Sequence, residues 1–277
     1  MKTIFRFTFT GLLGQILGWG ISFGLLAWYV MVLHDTFINQ GTQYFDFIKS
    51  YPPELMAFFG DMTKILSPGG LLDTTLFSYG VMVLGIFSIL AGSGLLASDE
   101  ETGKLDLIQA HPISRSALFF GRFFGLTAAT AAILLLVWCG FAIGYPSAKN
   151  FSESLAAIGL PLLAMFAELM LFGSFAIWLS MILPSRTIAA STAGIVLVVS
   201  YFISSLSRVI ENLKHIDFIS PLHYYQGGFA VDGLNWSWFI GLLLIAGFFT
   251  LAALYSYQLR DLRVSGERNW HIPGLIN

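Results

Sequence analysis

The sequence predicts an all-α, polytopic membrane protein with six transmembrane helices in one domain across residues 1–277. Three observations carry that prediction. Only 11% of the residues are charged and 56% are hydrophobic, where a soluble domain carries about 25% charged residues. Six apolar runs, at about 11–33, 74–97, 117–144, 154–183, 188–209 and 236–257, each reach the roughly 20 residues that a helix needs to cross a bilayer. The cations between the runs are shared unequally. One side carries nine, Lys2, Arg6, Lys104, Arg115, Arg122, Arg186, Arg260, Arg263 and Arg268; the other carries five, Lys49, Lys64, Lys149, Arg208 and Lys214. The positive-inside rule then places both termini and the 98–122 stretch in the cytoplasm.

Lys2 and Arg6 precede the first run as they would in a signal peptide. The run from Gly11 to Leu33 is too long for a signal core and lacks a small-residue cleavage site after it, so it reads as a retained span. Phe5, Phe7 and Phe9 alternate as in a strand. A lone strand beside lipid would leave its backbone unpaired, so residues 1–10 are expected to form an interfacial helix. Residues 34–73 read as a long polar loop with Pro52, Pro53, Pro68 and Gly69-Gly70, in which Glu54–Leu66 has a helical apolar pattern and rests on the membrane. The fourth run exceeds a bilayer's needs, so it is expected to tilt or project, and Pro161 near its start allows a kink. Residues 210–235 form a second segment outside the spans. Trp236 and Trp238 mark one interface of the last span, Tyr255 and Tyr257 the other.

Several chemistries lack their residues. A net charge of −2 gives no electrostatic footprint for nucleic acid. Cys139 is the single cysteine, set in an apolar run, and reads as a packing residue. The five histidines are scattered, with no ligand spacing for a metal. No Gly-x-x-x-x-Gly-Lys-Ser/Thr occurs: Gly103-Lys104 is followed by Leu105, and Ser98 stands where the first glycine belongs. Any use of ATP must come from another polypeptide. Gly92-Ser93-Gly94 offers a candidate nucleophile turn for intramembrane hydrolysis. No histidine or second acid lies in another span to activate Ser93, and small residues for close helix packing explain the turn better. Glu168 is the acid placed well inside a span. It reads as a substrate or cation contact or a proton site, or else as a hydrogen-bonded glutamate partnered by Ser174 or another chain.

The densest polar stretch is 98–122, between the second and third runs. Ser98 with Glu101 three residues on forms a capping box. Asp99, Glu100 and Glu101 fall in the first turn, where the helix dipole favours acids. Leu105 and Ile108 share a face from which Asp106 and Gln109 point away. Pro112 stops the helix, and Ser114 caps the next one. This design describes a short amphipathic helix outside the bilayer, tied to two spans. Such a helix docks its apolar face in a partner's groove. Leu105 and Ile108 are its anchors, and the acids with Arg115 fix its orientation.

The same stretch resembles the membrane subunits of type-2, exporter-like ABC transporters. That family shows an acid, a glycine, an apolar helix, Pro-x-Ser-Arg and Gly-Lys or Gly-Arg entering the next span. Here these are Glu101, Gly103, Leu105 with Ile108, Pro112, Ser114, Arg115, and Gly121 with Arg122. Ser220-Pro221-Leu222-His223-Tyr224-Tyr225 is similar to the family's outer segment before its last span. The resemblance implies a multi-pass permease of the cell membrane, with residues 1–10 as an elbow helix and 98–116 as a coupling helix. It implies that Glu100, Glu101, Gly103, Lys104, Leu105, Asp106, Ile108, Pro112 and Arg115 face a separate ATPase subunit. It implies two permease chains, alike or different, working with two ATPase chains that bind ATP and Mg; this chain itself carries no cofactor. The substrate would be drug-like, lipid-like or otherwise small. The 34–73 loop is longer than the family's smaller members carry. Two other readings stand beside it: a permease for an ion or small metabolite using Glu168, and a membrane anchor or assembly protein.

Overall fold

The computed structural model describes residues 1–48, 52–61, 64–101 and 113–259. It is all-helical, with no strand among the described residues. Six helices are long and apolar enough to cross a membrane, at Leu13–Asn39, Pro68–Ser93, Arg115–Ser147, Gly159–Ile182, Arg186–Leu206 and Trp236–Leu259. They are the first to sixth spans below. Successive spans run in opposite directions. One end of the bundle, the terminal end, holds residues 2–12, 94–101, 113–115, 183–185 and the end of the sixth span. The distal end holds 52–61, 148–158 and 207–235.

The boundaries differ from the sequence reading for local reasons. The first helix continues from Leu13 to Ile48, so the polar loop expected from residue 34 begins as helix. At 1.5 Å per residue its 36 residues extend about 54 Å, well past a bilayer core. Asp35 anchors this extension by accepting from the backbone amides of Lys149 (3.1 Å) and Asn150 (3.2 Å). The second span starts at Pro68, six residues earlier than expected. Proline suits a first helical position, and Ser67 caps it by accepting from the Gly70 amide at 3.0 Å. The fourth span runs 24 residues from Gly159 to Ile182. Its length fits a bilayer without projection, and Pro161 lies in its first turn, where it removes no intrahelical bond. Glu54–Leu66 is not one helix. A helix covers Pro53–Ala57, and Gly60, at φ 99°, turns the chain away. Phe58 then packs on Tyr201 and Phe202, with ring centroids 6.3 and 5.1 Å away.

The fourth span is the hub. It packs against the second, third, fifth and sixth spans, and most of its side chains are buried. Faces of the first, fifth and sixth spans stay exposed, with Leu25, Ile195, Leu244 and Phe248 pointing outward. The second and fourth spans touch backbone to backbone: a Cβ on Gly92 would fall on the Gly173 carbonyl. Ser93 is fully buried and donates to the Leu90 carbonyl of its own helix at 3.3 Å. The Gly92-Ser93-Gly94 turn is therefore a packing device, with no base at Ser93 among the described residues. Gly92→Val is expected to lower stability by about 1–3 kcal/mol, as overpacking does. Ser93→Ala should be close to neutral. Thermal midpoints of the two variants in detergent check both.

Candidate functional site

Two polar regions stand out, one at each end of the bundle. At the terminal end the short helix Ala97–Glu101 follows the second span. It starts one residue ahead of the expected cap, so Ser98 lies inside its first turn. Leu96 and Ala97 are buried with Leu118 and Phe119 of the third span, Ile177 and Met181 of the fourth, and Ala253 and Tyr257 of the sixth. This small core locks the start of the 98–116 segment to three spans. Asp99 adds an ion pair to Arg122, which also donates to the Leu95 carbonyl. Arg122 is 6% exposed although its charge sits in a span. A charge held there persists only when paired.

Two further arginines act on helix ends. Arg115 donates to the carbonyls of Tyr257 (3.2 Å) and Gln258 (3.3 Å) at the end of the sixth span. Arg186 donates to the Leu90 carbonyl of the second span at 3.2 Å. Cations at C-terminal carbonyls satisfy orphan acceptors and complement the helix dipole. The sequence showed these arginines only as topology charges and, for Arg115, as a docking residue. Their contacts lie 96 to 143 residues away in the chain, so no local pattern could reveal them. The Ser114 cap was legible, and its hydroxyl accepts from the Ala117 amide at 3.2 Å.

Of the expected docking residues, Glu100 lies on the short helix, half-buried, and Glu101 closes that helix. Gly103, Lys104, Leu105, Asp106, Ile108 and Pro112 lie outside the described residues. The helix Lys2–Gly11 lies along the third span, with Ile4 over Gly121 and Thr8 over Gly125.

Glu168 sits midway along the fourth span, fully buried. Neither carboxyl oxygen has a hydrogen-bond partner among the described residues. The partner offered by the sequence, Ser174, is engaged by Thr250 of the sixth span at 3.0 Å. Between the third, fourth and sixth spans an apolar groove of about 440 Å³ opens outward, lined by Phe123, Thr127, Phe166, Met170, Ala246 and Thr250 among others.

At the distal end the second span opens into a π-turn over Asp73–Phe77, a wider turn often found at functional sites. Tyr225 donates to the Phe77 carbonyl at 3.2 Å. Burial, with the Asp73 and Glu168 carboxylates nearby, pushes the Tyr225 phenol well above its ordinary value, so it stays neutral. Asp73 accepts from the Gly228 amide at 3.0 Å, in a place where a Cβ on Gly228 would strike the backbone of Gly69 and Asp73. The sequence reading passed over Asp73, because its neighbours in the chain look like the edge of a loop.

The family model of the ABC-2 family transporter proteins matches residues 18–262. A comparison with curated proteins returns no match. Members of the ABC-2 family are membrane transport components, not themselves catalytic, and normally work with ABC ATPase subunits. With six apolar helices of spanning length and a match over most of its residues, this multi-pass membrane chain belongs to the ABC-2 family of transporter proteins.

Proposed function

We propose that the chain is the permease subunit of an ATP-driven exporter, set in the cell membrane with both termini in the cytoplasm. Family membership across residues 18–262 is the observation that carries this reading. A separate ATPase binds ATP and Mg and seats the 98–116 segment in a groove, with Leu105 and Ile108 as anchors. Glu100, Glu101, Gly103, Lys104, Asp106, Pro112 and Arg115 set the register of that segment. The small core around Leu96 and Phe119, with the Asp99–Arg122 pair, supports transmission of the ATPase's motion into the third, fourth and sixth spans. Residues 2–11 serve as an elbow helix. Two permease chains face each other, and the substrate passes between them. The apolar groove favours a lipid-like or drug-like substrate.

Glu168, without a hydrogen-bond partner among the described residues inside the hub helix, favours a role on the substrate path; it would equally serve an ion or small-metabolite permease. Glu168→Gln keeps the shape and removes the acid. It is expected to leave the thermal midpoint nearly unchanged and to reduce transport about tenfold, the effect of a contact worth ~1.4 kcal/mol. Unchanged transport in this variant would assign Glu168 to structure alone.

A further inference from the structure

The distal pocket has the make-up of a cation site. It is lined by Asp73, Ser78, Tyr201, Ser205, Arg208 and Tyr225 among others, around a cavity of about 30 Å³. Such a volume holds a water or one compact ion. Asp73 is 2% exposed, and its Oδ2 has no hydrogen-bond partner among the described residues. Arg208 places its Nη1 4.0 Å from that oxygen, beyond hydrogen-bonding reach. Arg208 is 41% exposed. Its pull is therefore screened, and its departure into solvent is cheap. Asp61 lies close enough to add its own negative field.

The remaining walls offer neutral oxygens. Tyr201 donates to the Phe58 carbonyl at 2.6 Å, and the Ser78 and Ser205 side chains line the pocket beside it. Tyr225 stays a phenol. A divalent ion takes six or more oxygens and, in most sites, several carboxylates. One carboxylate lines this pocket, and no group of three metal-ligating acids, histidines or cysteines occurs among the described residues.

We propose that this pocket binds one compact monocation at Asp73, in competition with the Arg208 guanidinium. The ion is either a free alkali cation or a primary ammonium group carried by a larger molecule. The site joins the second span, the fifth span and the 221–232 segment, so occupancy ties the distal end together. It does not depend on the ATPase partner and is tested without one.

The test uses the full chain in nanodiscs, titrated with sodium, methylammonium or choline chloride at constant ionic strength. The readout is the thermal midpoint. A saturable rise with sodium identifies a free-ion site, and one with methylammonium alone identifies an ammonium site. Choline is too bulky for the cavity and should do nothing. Arg208→Gln should lower the half-saturating concentration roughly two- to fivefold by removing the competitor. Asp73→Asn should abolish the rise. The proposal is overturned if neither small cation gives a saturable rise in the wild type and in Arg208→Gln. It is also overturned if choline matches them, or if folded Asp73→Asn responds like the wild type.

Discussion

Leu105→Asp is expected to reduce ATP-dependent transport at least about tenfold while leaving the six spans folded. The reasoning starts from the amphipathic pattern of 98–116, where Leu105 and Ile108 form one apolar face. A buried anchor at the centre of a helix-in-groove interface typically carries 2 kcal/mol or more. Replacing it with a carboxylate also forces an unpaired charge into that groove. The spans are held by contacts elsewhere, above all by the fourth span and its neighbours. Export of a fluorescent lipid-like or drug-like reporter, measured beside the thermal midpoint, separates uncoupling from unfolding. Full transport by the variant would remove the docking role from Leu105.

Asp99→Ala is expected to destabilise the chain by about 1–3 kcal/mol, below the range for removing one member of a fully buried ion pair because the Asp99 side chain is 18% exposed. Arg122 would keep the Leu95 carbonyl but lose its counter-charge in a position 6% exposed. Replacing both, as Asp99→Ala with Arg122→Met, leaves no orphan charge and should recover most of the loss. The four thermal midpoints form a double-mutant cycle. Additive losses would mean that the pair is not coupled and that the small core around Leu96 and Phe119 alone holds the segment.

Much of this architecture is written in local sequence. Runs of apolar residues report spans because a bilayer demands them, and all six occur where expected to within a few residues, apart from the late end of the first, the early start of the second and the late start of the fourth. Pro68 misled as a loop marker, since proline also begins helices, and Gly69-Gly70 lies inside the helix it starts. The length of the helix Leu13–Ile48 could not be read from hydropathy, because its polar end is fixed by the distant amides of Lys149 and Asn150. The polar sites divide the same way. Glu168 was visible because a lone acid in an apolar run is conspicuous. Asp73 was not, since its burial comes from Gly60 and Gly228, which the chain delivers from 13 and 155 residues away. The arginine contacts at the terminal end are likewise tertiary.

The most direct test of the permease assignment is the native mass of the tagged chain purified in mild detergent from its own host, read together with ATP hydrolysis by the same sample. The account predicts a complex of two permease chains with two ATPase chains that hydrolyses ATP, and loss of the ATPase chains on Leu105→Asp. A folded chain that purifies without any ATPase and moves its substrate without ATP would contradict it, and would shift the function to an ATP-independent carrier centred on Glu168.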